Sequence, residues 1–181
     1  KNLYSILDTW PRDELFQIGE DELFDTAMGI LRLGERARTK LFVRRDIFAR
    51  FYSCFIYLPR ENYNTEVRVK LQDILKRAFN GTSAEFNVQL SESELARIHI
   101  LVRTSPASEQ PVDLKALEAE VVAAVRRWED GVFERLIQTT GEDAANDARR
   151  EFVLPFPAAY TDDTNADQAV ADFVAAKSIS A

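Results

Sequence analysis

Residues 41–65 read LFVRRDIFARFYSCFIYLPRENYNT, and this stretch decides the fold. Polar and apolar side chains alternate with a period of two, first in LFVRR and then in FARFYSCFIYL, which is typical of two β-strands. The intervening DIF predicts a tight connection, so we interpret the stretch as a hairpin. Pro59 ends the second strand, because proline has no backbone N–H for the ladder of a central strand.

The forty residues before the hairpin favour helices. A first turn or two through residues 3–7 precedes a short helix that begins near Pro11, and Asp21 is a candidate N-cap for a third helix. Helical spacing after Asp21 places three apolar side chains on one stripe: Leu23, Ala27 and Ile30. We therefore expect a helical segment ahead of the sheet.

A helix and a second hairpin follow the first hairpin. Asn64 is a candidate N-cap, and Asn80-Gly81 predicts the left-handed stop of the helix. The second hairpin is formed by AEFNVQL (84–90), the polar turn SESE (91–94) and ARIHILVRT (96–104). Its second strand is the more apolar of the two, which favours a central position in the sheet.

The remainder of the chain is predicted to be helical. After the loop SPASEQPV (105–112), Asp113 caps a helix whose apolar spacing continues to Gly141. We predict one continuous helix over 113–139, about 39 Å long. Two shorter helices are expected at 144–152 and 168–176.

The order of the elements predicts an α+β fold. Helix, strand, strand, helix, strand, strand is the ferredoxin-like βαββαβ cycle permuted to αββαββ, started at its first helix. The predicted antiparallel sheet has the order 84–90, 96–104, 49–58, 40–45, which places the two most apolar strands in the middle. Helices are expected on one face, with additional flanking helices.

Four segments follow from this interpretation. Residues 1–37 form an N-terminal helical segment that packs on the sheet, and residues 38–112 form the α+β core. Residues 113–154 hold the long helix and a short one. Residues 155–181 hold a linker and a helix that leads toward further chain.

Charge is unevenly distributed along the 181 residues. The formal net charge is −7, yet residues 35–77 hold eleven Lys and Arg against five Asp and Glu. This basic segment could form a nucleic-acid surface, or it could dock onto acidic segments of the same molecule. The longest apolar run, 51–58, is far shorter than a membrane span.

Motifs for catalysis, cofactors and metals are missing from the pattern. The six glycines form neither GxGxxG nor a P-loop, so no cofactor-binding residue is predicted. Cys54 and His99 fall on opposite faces of the predicted sheet, which argues against a catalytic pair. Asp162-Asp163 and Glu142-Asp143 lack the alternating spacing of a calcium loop, so no metal site is predicted.

One face of the predicted sheet combines basic and aromatic side chains. We expect an interdomain or effector-binding face there, and its candidate residues lie on the strands and on the turn of the first hairpin: Arg44, Arg45, Arg50, Phe51, Phe55, Tyr57, Arg97, His99 and Arg103. Such a face could also stack single-stranded RNA, but FARFYSCFIYL lacks the glycine of an RNA recognition motif. The overall acidity also makes nucleic acid an unfavourable partner.

Six stretches carry a family resemblance. The chain resembles the N-terminal, pre-catalytic part of large multidomain bacterial NAD-specific glutamate dehydrogenases. The stretches are WPRDELFQI (10–18), ERARTKLFVRRD (35–46), FYSCFIYLPRENYNTEVR (51–68), LSESELARIHILVRT (90–104), RRWEDGVFERL (126–136) and FPAAY (156–160). All are patterns of folding residues, and none is a catalytic signature.

The resemblance implies a non-catalytic, ACT-like module that organises or regulates a parent enzyme. That parent would oxidatively deaminate L-glutamate to 2-oxoglutarate with NAD, bound outside this chain. The implied partners are other domains of the same chain and further copies of the parent in a homo-oligomer, and an amino-acid effector is the alternative. Apart from the resemblance, the single cysteine fits a cytoplasmic protein. Ordinary ACT domains bind amino acids at a glycine-containing loop, whereas SPASEQPV (105–112) has no glycine.

Overall fold

A computed structural model describes residues 3–34, 38–90, 94–105, 111–151 and 157–179. The helices in these ranges are α1 (Leu3–Asp8), α2 (Arg12–Leu15), α3 (Glu20–Leu33), α4 (Thr65–Ala78), α5 (Leu114–Val125), α6 (Trp128–Thr140), α7 (Glu142–Glu151), α8 (Ala158–Asp163) and α9 (Ala166–Ile179). The strands are β1 (Lys40–Arg45), β2 (Phe51–Pro59), β3 (Ser83–Gln89) and β4 (Leu95–Arg103). The turn predicted at 91–94 and the loop predicted at 105–112 fall largely outside the described residues.

The four strands form one antiparallel sheet of order β1-β2-β4-β3. This order is the one predicted, with the apolar strands β2 and β4 in the middle. The tight connection predicted at Asp46-Ile47-Phe48 lies between β1 and β2, and the turn extends to Arg50. The predicted α+β class and four-stranded antiparallel sheet are confirmed.

Local sequence signals set the ends of the helices. Asn64 Oδ1 accepts a hydrogen bond from Val67 N at 2.8 Å, which confirms the predicted N-cap of α4. Asn80 has a left-handed backbone (φ 48°), and a Cβ on Gly81 would lie 2.4 Å from Val102 Cγ1. The stop at Asn80-Gly81 therefore also requires the smallest residue. Asp113 Oδ1 caps α5 by accepting from Lys115 N at 2.9 Å.

The first face of the sheet is apolar and is covered by α4 and α5. Its residues come from alternate positions of the strands and are almost inaccessible to solvent: Cys54, Ile56, Leu58, Ile98, Ile100 and Val102. Leu71 and Leu75 of α4 pack against them, as do Val121 and Val125 of α5. The predicted cycle began with the helix before β1, but the helix that completes this layer is α5.

The second face of the sheet is partly covered by the N-terminal helices. Ile30 and Leu33 of α3 form a second core with Trp10, Phe55 and Tyr57. Trp10 and Phe55 meet edge to face at 5.2 Å between ring centroids. The N-terminal helices therefore cover this half of the second face, where only 5% of Phe55 and 3% of Tyr57 remain exposed.

The helix predicted over 113–139 is two helices. Helix α5 ends at Val125, and α6 begins at Trp128 after Arg127 adopts an extended backbone (φ −71°, ψ 145°). The prediction of one continuous helix is wrong, because the apolar side chains of the two halves are buried in different cores. The chain correspondingly divides into two units, Lys1–Val125 and Arg126–Ala181.

The second unit has a small core of its own. Helices α6, α7 and α9 bury six side chains together: Val132, Leu136, Ala145, Ala148, Ala169 and Val170. Trp128 Nε1 donates a hydrogen bond to the Thr164 carbonyl at 2.6 Å, and its ring meets Tyr160 edge to face. Helix α8, which contains Tyr160, was not predicted. Across the described helices of both units, none has the length and apolarity needed to cross a membrane.

Candidate binding cleft on the second face of the sheet

A cleft with a volume of about 650 Å³ lies between α2 and the part of the second face that the N-terminal helices leave uncovered. It is lined by Pro11, Asp13, Glu14, Phe16, Gln17, Phe51, Asn87, Arg97, His99, Leu101 and Arg103. Strand register explains the set on the sheet side. Arg97, His99, Leu101 and Arg103 are alternate residues of β4, so their side chains share one face.

An ion pair joins α2 to the sheet at this cleft. Arg44 Nε and Nη2 donate to Glu14 Oε2 and Oε1 at 2.9 and 2.8 Å, which is a bidentate pair. The side chains of Arg44 and Glu14 are 7% and 4% exposed. Removing two charges from water is costly, and only complete hydrogen bonding between them can offset that cost. The pair therefore fixes the position of α2 over β1.

His99 is partly buried and is held in place by Ser53 and Phe55. Its Nε2 lies 2.8 Å from Ser53 Oγ, and its ring stacks on Phe55 with centroids 4.4 Å apart. Burial lowers the pKa of His99; the positive charges of Arg97 and Arg44 act in the same direction and the carboxylate of Glu14 opposes them. We expect a neutral imidazole at neutral pH.

Arg97 has unused hydrogen-bonding capacity. Its Nη2 donates to the Thr9 carbonyl at 2.6 Å, and its guanidinium lies 5.5 Å from the centroid of the Phe55 ring. Its Nε is buried without a hydrogen-bond partner. A buried donor left unsatisfied is costly, so an acceptor placed beside Arg97 would be favoured.

Arg103, at the outer end of the cleft, is much more exposed. Its Nε donates to Glu85 Oε1 at 2.8 Å, and both side chains are more than half exposed. Ion pairs in this setting contribute little to stability because water and salt screen them. The charge of Arg103 therefore remains accessible to a ligand or to another protein surface.

The structure brings together some of the predicted face residues and separates others. Phe51, Arg97, His99 and Arg103 line the cleft, and Arg44 holds the cleft residue Glu14. Phe55 and Tyr57 are buried beneath the N-terminal helices. These two rings are therefore not accessible for stacking on the bases of RNA.

Two predicted arginines lie outside the cleft. Arg45 pairs across the strands with Tyr52 and lies 6.0 Å from its ring, which puts it on the first face. Its assignment to the second face is therefore wrong, because alternation from Arg44 reverses the side. Arg50 lies in the β1–β2 turn, where its Nε donates to Asp46 Oδ2 at 2.8 Å.

Sequence reasoning missed the wall of the cleft that α2 contributes. Pro11, Asp13, Glu14, Phe16 and Gln17 all come from this short segment. The available signal was indirect, since an arginine on a half-buried strand position needs a carboxylate nearby. Nothing in the spacing from Glu14 to Arg44 identifies the partner.

The other reactive side chains do not form a second site. Cys54 is fully buried on the first face, where burial raises the pKa of its thiol, with the charge of Glu14 acting in the same direction. His99 lies on the second face, so the sheet separates the two side chains. No group of three or more His, Cys, Asp or Glu residues in the described ranges is arranged to hold a metal ion.

Family comparisons agree with this architecture. A model of the ACT2 domain of glutamate dehydrogenase matches residues 40–129, which contain the sheet, α4 and α5. Models of helical motif 1 and helical motif 2 of the same enzyme match residues 1–36 and 135–176. The chain is thus an ACT-domain protein with flanking helical motifs. It belongs to the glutamate dehydrogenase family, which confirms the resemblance seen in the sequence.

Three relatives are named NAD-specific glutamate dehydrogenase. The chain is 43% identical to that of Halomonas elongata over 172 residues, 39% identical to that of Pseudomonas aeruginosa over 160 and 35% identical to that of Mycobacterium tuberculosis over 140. The matches cover 95%, 88% and 71% of this chain, respectively. They cover only 11%, 10% and 9% of the relatives, so the chain spans about a tenth of their length.

Proposed function

We propose that this chain is a non-catalytic structural and regulatory module of an NAD-dependent glutamate dehydrogenase. The parent enzyme would oxidatively deaminate L-glutamate to 2-oxoglutarate, with NAD bound in another part of the polypeptide. The match to the ACT2 domain between two helical motifs carries this proposal. The proposal includes a cytoplasmic homo-oligomer in which the module contacts other domains of the same chain.

The contacts between α2 and the sheet support the structural part of the proposal. Glu14 and Thr9 belong to the segment matched by helical motif 1, whereas Arg44 and Arg97 belong to the ACT2 domain. The Glu14–Arg44 ion pair and the Arg97–Thr9 hydrogen bond therefore join two separately defined family segments. A module built in this way can transmit a displacement of the sheet to the helices.

The chemistry of the buried side chains supports the non-catalytic part. Cys54 has no access to solvent, and burial disfavours its thiolate, which is the nucleophilic form. His99 is hydrogen-bonded to Ser53, and burial lowers its pKa and so disfavours the protonated imidazole. Neither side chain is poised to move a proton to or from glutamate.

Kinetics of the full-length enzyme test this proposal. The 181-residue chain alone, given glutamate and NAD, should produce no NADH absorbance. Full-length enzyme carrying Arg44→Ala should lose assembly or allosteric response, whereas Arg77→Ala, at an exposed arginine of α4 away from the cleft, serves as the control. Turnover by the isolated chain would refute the non-catalytic assignment, and unchanged assembly and response in Arg44→Ala would refute the structural and regulatory role.

The cleft favours a second candidate function, the sensing of an amino-acid effector. Its volume suits a small ligand, and Arg97 and Arg103 offer donors for a carboxylate. Asp13, which also lines the cleft, could accept an ammonium group. The presence of two arginines, Arg97 and Arg103, in the lining of the cleft is the observation that favours this candidate.

Calorimetry of the full-length enzyme against a panel of amino acids at millimolar concentration tests effector binding. An Arg97→Lys variant keeps the charge but loses the planar pair of donors, so it should bind the effector more weakly. The control is Lys40→Arg, because Lys40 pairs with Glu118 away from the cleft. Equal binding heats for wild type and Arg97→Lys with every amino acid would remove the sensor function, because heat from the catalytic region is common to both.

A further inference from the structure

The turn between β1 and β2 presents two large apolar side chains to solvent. Ile47 is 81% exposed and Phe48 is 65% exposed, and they are neighbours at the tip of the hairpin. We call this pair the Ile47–Phe48 knob. Single exposed apolar residues are common on protein surfaces, but an adjacent pair at a tip places apolar area where a partner can enclose it.

The turn that carries the knob is unusually well anchored. The Asp46 carboxylate accepts hydrogen bonds from the backbone N–H groups of Phe48 and Arg50 at 3.2 Å each, and from the Arg50 guanidinium at 2.8 and 3.1 Å. Thr104, at the end of β4, donates to the carbonyls of Ala49 and Arg50 at 3.1 and 2.9 Å. The turn is therefore closed by hydrogen bonds of its own and is tied to the end of β4 at Ala49 and Arg50.

Two further features show that the turn conformation is imposed. Ala49 has a positive φ of 54°, a region that non-glycine residues enter at a cost. The Arg50 guanidinium lies 5.0 Å from the Phe48 ring centroid and 5.8 Å from that of Phe51, so one cation contacts both rings. The knob is thus ordered before it meets any partner, and a preformed contact loses less entropy on binding.

The size of the knob decides which partner it fits. An aromatic side chain buries roughly 150–250 Å², and an isoleucine less, so the knob supplies only part of the roughly 800 Å² per partner in a stable interface between separate proteins. A partner tethered to the same polypeptide needs far less area, because tethering gives an effective concentration in the millimolar range. The relatives are about nine times longer than the segment they share with this chain, so such tethered partners exist in them.

We propose that the Ile47–Phe48 knob inserts into an apolar pocket of another domain of the same polypeptide, outside these 181 residues. This inference deepens the proposed function and rests on the chain being part of a larger enzyme. The knob lies beside Phe51, which lines the cleft, through the guanidinium of Arg50 that contacts both rings. A ligand in the cleft that displaces Phe51 could therefore change the contact between the knob and its partner domain.

Photocrosslinking in the full-length enzyme tests the location of the knob. Phe48 is replaced by photoreactive benzoylphenylalanine, and Phe86 is replaced likewise as the control, because Phe86 is 48% exposed and also has an arginine over its ring. We expect position 48 to give a crosslink that leaves the mass of one chain and maps outside the 181 residues. A crosslinked dimer would overturn the proposal in favour of a second copy, and no crosslink above that of position 86 would overturn it altogether.

Matched substitutions provide a second measurement. Ile47→Ser/Phe48→Ser should lower the melting temperature of the full-length enzyme by several degrees, while Val69→Ser/Phe86→Ser, at two other exposed apolar positions, should not. Equal shifts in both variants would contradict docking at the knob. Neither measurement depends on enzymatic turnover. Failure of the proposed glutamate dehydrogenase function would appear in the kinetic assay, whereas failure of docking would appear in the crosslinking and melting experiments.

Discussion

The two faces of the sheet are built from alternate residues of the same four strands, yet they are covered in different ways. The first face is apolar throughout its centre and is sealed by α4 and α5. The second face carries a buried ion pair to α2, and its open cleft contains a histidine and a partly unsatisfied arginine. The first face contributes the main apolar core of the domain. The second face determines where the N-terminal helices are attached.

The difference has a physical basis in specificity. Apolar contacts tolerate many arrangements of similar volume, so they stabilise the layer without choosing one geometry strictly. The bidentate Glu14–Arg44 pair is satisfied in a single arrangement, and any displacement of α2 leaves a charge buried and unpaired. The second face therefore sacrifices some stability and gains a defined position for the N-terminal helices.

Removing half of the ion pair is expected to have the largest effect. Glu14→Ala should lower the free energy of unfolding of the sheet unit by about 3–5 kcal/mol, because Arg44 is left charged and buried. Urea titration followed by Trp10 fluorescence, in a Trp128→Phe background, measures this unit alone. The control is Glu14→Leu/Arg44→Met, which should recover most of the loss. A loss below about 1 kcal/mol would show that the second face does not depend on the pair.

Truncation on the first face should come next in size. Leu71→Ala is expected to cost about 3 kcal/mol, since Leu71 is fully buried between α4 and the sheet. Val69→Ala on the same helix, at a position 43% exposed, should change stability by about 0.5 kcal/mol or less. The same urea titration applies. Similar costs at the two positions would contradict the assignment of the sealed face.

The turn between β1 and β2 belongs to neither face. Removing the carboxylate of Asp46 there should lower stability by less than the changes above, and the loss should depend on pH. Hydrogen bonding to Arg50 lowers the pKa of Asp46 to about 2, despite the opposing effect of burial. This stability is present above the ordinary pKa near 3.9 and is lost as pH falls toward 2. Asp46→Asn should cost about 1 kcal/mol at pH 7, less than a fully buried pair because Arg50 lies largely in solvent.

The pH profile of Asp46→Asn provides the check on that prediction. Between pH 5 and pH 2 the wild-type chain should lose more stability than the variant, because only the wild type must protonate this carboxylate. Parallel profiles would refute the importance of the carboxylate in the turn. Asp113→Asn is a suitable control, since Asp113 caps α5 and is exposed.

His99 should give the smallest effect, confined to mildly acidic pH. Because burial lowers its pKa in the folded chain, the unfolded chain binds the proton first, near pH 6.5. Stability should therefore fall as pH drops below about 6.5, and His99→Gln should remove that slope while keeping a hydrogen bond to Ser53. A steeper loss in the variant, measured by melting temperature from pH 7 to pH 5, would contradict a neutral His99.

Much of the first face could be predicted from the sequence. Alternation in β2 and β4 places Cys54, Ile56, Ile98 and Ile100 on one side, and Asn64 marks the start of the helix that covers them. Both signals are local, because they depend on residues within one strand or one helical turn. The strand order followed from the number and apolarity of the strands.

The second face could be predicted only in part. The apolar stripes of α3 and α5 have the same spacing, and periodicity does not state which face a helix covers. The break between α5 and α6 could not be predicted, because no glycine or proline marks it and the apolar spacing continues across it. The side chains before and after the break belong to two different cores. Glu14 and Arg44 are thirty residues apart, so their pairing is a property of the tertiary structure.

The buried thiol of Cys54 can be used to measure how often the first face of the sheet opens. It is the single cysteine of the chain and has no exposed surface, so a thiol reagent can reach it only when the layer between the sheet and α4 and α5 opens. The rate of labelling at reagent excess then counts spontaneous openings of the domain. In the full-length enzyme, the labelling rate must be read on the peptide that contains Cys54, and its change on addition of an amino acid would report how strongly a ligand on the second face suppresses opening of the first.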